Sequence, residues 1–160
     1  MEIRRVTAED SAAIWSILKP TIRAGMTYAL PREMTESAAL DYWLGGDRRA
    51  YVAVNDGQVL GTYYLRPNQP GGGSHVANCG YMTASASRGQ GVARQMCEHS
   101  LEEARIHGYR AMQFNFVVGT NEHAIRLWRS LGFKILARLP LAFDHPVKGY
   151  VDALVMFKAL

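Results

Sequence analysis

Between Tyr81 and Arg94 the chain reads Tyr-Met-Thr-Ala-Ser-Ala-Ser-Arg-Gly-Gln-Gly-Val-Ala-Arg, an apolar stretch running into a glycine-rich turn that opens a helical pattern. Backbone N–H groups in such a turn are uncovered by side chains. They converge with the positive end of the helix, which makes an anion cradle. Gly89 and Gly91 suit a phosphate, since a Cβ would obstruct its approach to the backbone. The turn has neither the Lys nor the hydroxyl of a P-loop. It lacks the last glycine of GxGxxG, where Arg94 stands, and lies behind four predicted strands rather than opening a βαβ unit. A glycine turn before a helix does not by itself establish a phosphate ligand.

Two amides also stand out. Asn78 and Asn115 each interrupt an otherwise apolar strand pattern, a position that propensity disfavours unless something compensates. They either satisfy a local buried backbone group or face a ligand as neutral donors and acceptors. No carboxylate lies between His75 and Arg88, so a general base is not evident there; His75, beside Gly71–Ser74, reads as a solvated loop residue. Cys79 falls in a strand and Cys97 on the apolar face of a helix, where both read as core.

The spacing Arg88-x-x-Gly91-x-Ala93 resembles the acyl-CoA signature of the GNAT superfamily of N-acetyltransferases, (Gln/Arg)-x-x-Gly-x-(Gly/Ala). Downstream, Asn121-x-x-Ala124-x-x-Leu127-Trp128-x-x-x-Gly132-Phe133 is similar to that family's Asn-x-x-Ala-x-x-Leu-Tyr-x-x-x-Gly-Phe. The resemblance covers essentially the whole chain and is weakest over residues 20–45.

The resemblance implies acetyl-CoA as cosubstrate and a wedge between the fourth and fifth strands that admits the thioester; with no CxxC and no His-rich ligand spacing, no metal is expected. Tyr81, Met82 and Thr83 would lie beside the pantetheine arm. Arg88, Gly89, Gln90, Gly91, Val92, Ala93 and Arg94 would hold the pyrophosphate, mainly through backbone N–H groups. Asn121 and Trp128 would approach the cofactor from the next helix. A backbone N–H at the wedge would stabilise the oxyanion. The family often has a Tyr where Trp128 stands, to protonate the departing thiolate. An indole can only donate a hydrogen bond, but a thiolate is a tolerable leaving group, and Tyr81, a water or the proton released by the attacking amine could supply the modest help it needs. Asn78, Asn115 and Tyr81 are the candidate catalytic residues.

Shorter cues suggest the acceptor. Asn78-x-Gly80-Tyr81-Met82 with Phe114-Asn115-x-Val117 is similar to GNAT enzymes that acetylate proline analogues and related small amines. Gly25-Met26-Thr27-Tyr28 and Gly149-Tyr150-Val151-Asp152 resemble the amino-acid branch that includes phosphinothricin resistance enzymes. Thr27 and Tyr28, with Asn78 and Asn115, are therefore candidate substrate-binding residues, and Arg23 and Arg32 could close over a carboxylate. A small amino acid or analogue is the expected acceptor. A protein lysine or N-terminal acetyltransferase, or a non-catalytic acyl-CoA-binding module, is the alternative.

These residues must be positioned by elements the sequence also marks. Residues 2–7 read as a strand. Thr7 to Asp10 starts a helix whose apolar stripe, Ile14, Ile17 and Leu18, extends to about Pro20. A long connection from Thr21 to Met34 precedes a helix from about Thr35 to Leu44. Asp56-Gly57 between two apolar runs signals a hairpin. Strands are then expected at 75–83, 110–118, 133–141 and 149–157. Helical spacing runs from Gly91 to Gly108, and Asn121 caps a helix closed by Gly132. The order β-α-α-β-β-β-α-β-α-β-β is an α/β (α+β) fold, a mixed sheet of six to seven strands with about four helices. The family resemblance places a splay between its fourth and fifth strands.

The 160 residues, 48% hydrophobic and 20% charged, suit one domain spanning 1–160. The net charge of +4 rests on 14 Arg and four Lys that form no basic run, which argues against nucleic acid. No signal peptide and no apolar run of roughly 18 residues is visible, so a cytoplasmic location and no membrane partner are expected. A homodimer is compatible with the sequence.

Overall fold

A computed structural model describes residues 1–160. Seven strands, β1 (Glu2–Arg5), β2 (Arg49–Asn55), β3 (Gln58–Pro67), β4 (Val76–Thr83), β5 (Ala111–Val118), β6 (Lys134–His145) and β7 (Gly149–Ala159), form one sheet in the order β1-β2-β3-β4-β5-β7-β6. Helices α1 (Ser11–Ala24) and α2 (Glu36–Leu44) cover one face, and α3 (Val92–Ile106) and α4 (Glu122–Ser130) the other. The expected order and α/β class are those observed.

The β2–β3 hairpin follows from two residues. Asp56 (φ 48°) and Gly57 (φ 77°) are both left-handed, and Asn55 pairs with Gln58 around them. Such a turn matches the twist of its flanking strands. Thr35 caps α2 by accepting from the Ala38 N–H, and Asn121 caps α4 by accepting from the Ala124 N–H.

The first helix differs from expectation. It continues through Pro20 to Ala24, ending at Gly25 with φ 63°. The proline leaves the Ser16 carbonyl without its helical partner, but both residues face solvent and water can serve that group. Ile22, one turn beyond Leu18, is buried in the same apolar cluster, and this packing carries the helix past the proline. The structureless connection is thus residues 25–35. β6 also exceeds its expected end at Leu141, continuing to His145 across an irregularity in its pairing with β7. Leu141 there has φ 51°, and its N–H donates to the Asp152 carboxylate at 3.0 Å.

At the entry to α1, Arg4 grips Asp10 with two bonds of 2.8 and 2.9 Å, and the Thr7 N–H donates to the same carboxylate. The guanidinium holds the Asp10 carboxyl at about 2, below its ordinary 3.8. A carboxyl depressed in the folded state is stabilising above the unfolded value and loses that contribution as the pH falls. Urea unfolding at stepped pH should therefore show stability dropping between about pH 4 and pH 2. Asp152 is also lowered, by Leu141 and Arg138, so the Asp10 share is the difference from Asp10→Asn. A difference that did not change over that range would remove the assignment.

Candidate active site

The two halves of the sheet meet at β4 and β5, which run parallel but stay in register only at Val76–Ala111 and Ala77–Met112. Beyond Ala77 the strands part and leave a wedge. At its apex Asn78 donates from its side-chain amide to the Gln113 carbonyl at 3.0 Å. The side chain thus reaches a carbonyl whose strand partner has diverged. That bond is the compensation required by an Asn in mid-strand.

Above the apex β4 presents an open edge. Its ladder with β3 is fixed by Asn68 N–H to Val76 carbonyl and Ala84 N–H to Leu60 carbonyl, both 2.8 Å. In an antiparallel ladder alternate residues point their backbone groups to opposite sides. The even-numbered residues of β4 therefore serve β3, while Cys79, Tyr81 and Thr83 direct theirs into the wedge.

β4 leads straight into the glycine turn. Ser87 is buried and anchors the turn by donating to the Leu60 and Ala84 carbonyls. Gly89 (φ 79°) and Gly91 (φ 76°) are both left-handed. A Cβ on Gly89 would meet nothing within 4 Å and one on Gly91 only the Gln95 amide at 3.9 Å, so backbone conformation and not crowding requires the glycines. The N–H groups of Gly89, Gly91, Val92, Ala93 and Arg94 have no intramolecular acceptor. Five free donors at a helix N-terminus make an anion cradle in line with the open edge. Arg88 and Gln90 are exposed beside it, and the Arg94 side chain donates to Ser130 at 2.8 Å. Asn121 commits its carbonyl oxygen to capping α4.

The Tyr81 phenol points away from the wedge. It lies in the core under α3, 2.7 Å from Ser100 Oγ, and burial pushes its ionisation well above the ordinary value. What Tyr81 offers the wedge is its backbone. Met82 is buried on the opposite face, against α1 and α2. Trp128 is buried too, with its ring 5.1 Å from Tyr81 and 5.2 Å from Phe114. Burial raises both thiols, Cys97 to about 12, so neither cysteine is a ready nucleophile.

Sequence reasoning missed a set of ties beneath the wedge. Tyr51, Tyr63 and Tyr81 form a row across β2, β3 and β4, and each hydroxyl reaches α3. Tyr51 donates to Glu103 at 2.6 Å, Tyr63 lies 2.7 Å from His99 Nδ1, and Tyr81 meets Ser100. The signal was present as one tyrosine on each of three successive strands, at paired positions, and polar residues on one stripe of a helix.

On the α1–α2 side of the sheet, Asn115 is exposed. It accepts from Gln113 Nε2 at 2.9 Å and donates to Asn68 Oδ1 at 2.6 Å. Asn78, Gln113, Asn115 and Asn68 thus bring amide groups together on this face, with Arg66 opposite Asn78 and paired to Asp47 at 3.4 Å; Asn68 is an addition the sequence did not suggest. His75 is exposed at the start of β4. Arg23, in the last turn of α1, and Arg32, in the 25–35 loop, are occupied by each other and the loop: Arg23 donates to the Arg32 and Met34 carbonyls, and Arg32 to the Arg23 carbonyl. Thr27 is half-buried in that loop. Tyr28 reaches the wedge itself. Its hydroxyl accepts from the Tyr81 N–H at 2.9 Å and donates to the Tyr81 carbonyl at 3.0 Å.

A family model for the acetyltransferase (GNAT) family matches residues 13–133. The chain is 29% identical over 153 residues to N-acetyltransferase aca1 of Schizosaccharomyces pombe, across 84% of this chain and 72% of that protein. A GCN5-related N-acetyltransferase from Kribbella flavida has a TM-score of 0.94 and 42% identity, covering 99% of this chain and 97% of that one. A phosphinothricin acetyltransferase from Sinorhizobium meliloti, solved in complex with acetyl-CoA, shares the fold at a TM-score of 0.86 and 18% identity, over 99% and 88% of the two chains.

Proposed function

This chain belongs to the acetyltransferase (GNAT) family, and we propose that it moves the acetyl group of acetyl-CoA to the amine of a small amino acid or amino-acid analogue. The observation that carries this reading is the continuity of the open β4 edge with the five-donor cradle. One end suits an extended, amide-bearing arm and the other its pyrophosphate. A neighbour of the same fold solved with acetyl-CoA supports that ligand.

In this reading the N–H groups of Gly89 to Arg94 hold the pyrophosphate, with Arg88, Gln90 and the Asn121 amide nitrogen at its margin. Thr83 and Tyr81 pair with the arm as a neighbouring strand would. The Tyr81 N–H, directed into the wedge, donates to the thioester oxygen as negative charge develops there. The neutral amine attacks directly, because the two cysteines are buried and protonated. Asn115 and Asn78 orient the acceptor or a water that takes its proton.

The amide surface favours an amino acid over a polyamine or basic peptide, which would call for a negative wall. Coenzyme A release measured across amino acids, polyamines and lysine-bearing peptides tests this. A small amino acid or analogue should lead; a peptide that outran all of them would transfer the reading to a protein acetyltransferase. Trp128 packs and does not transfer protons. Trp128→Phe should keep most of the rate while losing about 1–3 kcal/mol of stability. An alkaline limb of the pH–rate profile that vanished only in this variant would show otherwise.

A further inference from the structure

We propose that the Tyr28 hydroxyl is a displaceable plug of the oxyanion position, which acetyl-CoA must eject before the acceptor loop is released. The inference rests on the acetyl-CoA reading of the wedge. Its ground is geometric. The Tyr81 N–H and carbonyl face the gap left where β4 and β5 part, and no strand partners them. One hydroxyl satisfies both, accepting at 2.9 Å and donating at 3.0 Å. A single side chain thereby does for Tyr81 what the amide of an added strand would do.

The plug comes from a loop built to hold it. Residues 25–35 carry no regular structure, yet the reciprocal bonds of Arg23 and Arg32 close their base. Gly25 sits at φ 63°, a left-handed conformation that favours glycine. The Tyr28 ring leans on buried Trp43, with centroids 6.0 Å apart. The hydroxyl and an incoming thioester oxygen require the same N–H at the same distance, so they exclude each other. Cofactor entry therefore costs two hydrogen bonds and frees Tyr28. The 25–35 loop then loses its two bonds to β4.

Tyr28→Phe keeps the ring and its packing on Trp43 while deleting the plug. Calorimetry should show acetyl-CoA binding roughly threefold to tenfold more tightly to this variant than to wild type. Hydrogen exchange at the Tyr81 amide gives a second readout. Without ligand it should be slow in wild type and faster in Tyr28→Phe, and with acetyl-CoA it should be slow in both. A hydroxyl that merely anchors the loop predicts equal or weaker binding in the variant, and that result overturns the proposal. So does unchanged exchange at Tyr81. Wild type that bound no acetyl-CoA at all would instead refute the reading of the cleft, so the two failures are distinguishable.

Discussion

Gly91→Glu is expected to abolish acetyl-CoA binding, lowering affinity at least a hundredfold in a calorimetric titration. Two effects combine. The left-handed backbone at φ 76° strains any residue with a Cβ, by about 1–2 kcal/mol. The added carboxylate then sits among free N–H groups at the start of α3, where it competes for the donors and repels a pyrophosphate. Gly91→Ala separates the two, since it carries the strain without the charge and should weaken binding far less. Circular dichroism must show both variants folded. A folded Gly91→Glu protein of wild-type affinity would withdraw the cradle and the proposed function with it.

Asn78→Ala should lower kcat/KM roughly tenfold to a hundredfold, from the loss of one hydrogen bond in the transition state, while leaving acetyl-CoA affinity intact. It should also lower stability by about 1–3 kcal/mol, because the Gln113 carbonyl at the wedge apex is left without its partner. Asn115→Ala should reduce kcat/KM over the same range without that loss of stability, since its amide is exposed and water can replace it. Steady-state kinetics beside thermal unfolding reads both. Equal stability losses in the two variants would deny Asn78 its place at the apex.

What the sequence made legible were features with local causes. Asp56-Gly57 names its turn because few residues tolerate two successive left-handed conformations. Asn121 and Thr35 announce helix starts because their side chains bond a backbone three residues away. Asn78 was conspicuous as an amide in a strand, but its partner, Gln113, lies 35 residues on and is chosen by where two strands diverge. Tyr28 and Tyr81 are 53 residues apart, and nothing local marks a loop phenol as the occupant of a distant backbone edge. The helix through Pro20 was illegible for a related reason. A proline's local cost is plain in sequence, whereas the burial of Ile22 that outweighs it is decided only by packing.

The open edge of β4 bears on solubility as well as on chemistry. A strand with unpaired N–H and carbonyl groups is a template for any other extended chain, and natural sheets normally keep such rows short, charged or covered. Here the row lies in the middle of the sheet, where no lysine or proline guards Cys79, Tyr81 and Thr83. The phenol from the 25–35 loop, bonded to both backbone groups of Tyr81, is its protection. A chain trimmed of that loop would thus carry an exposed aggregation seam, and its failure to stay in solution would reflect a lost guard over a β-edge rather than a weakened core.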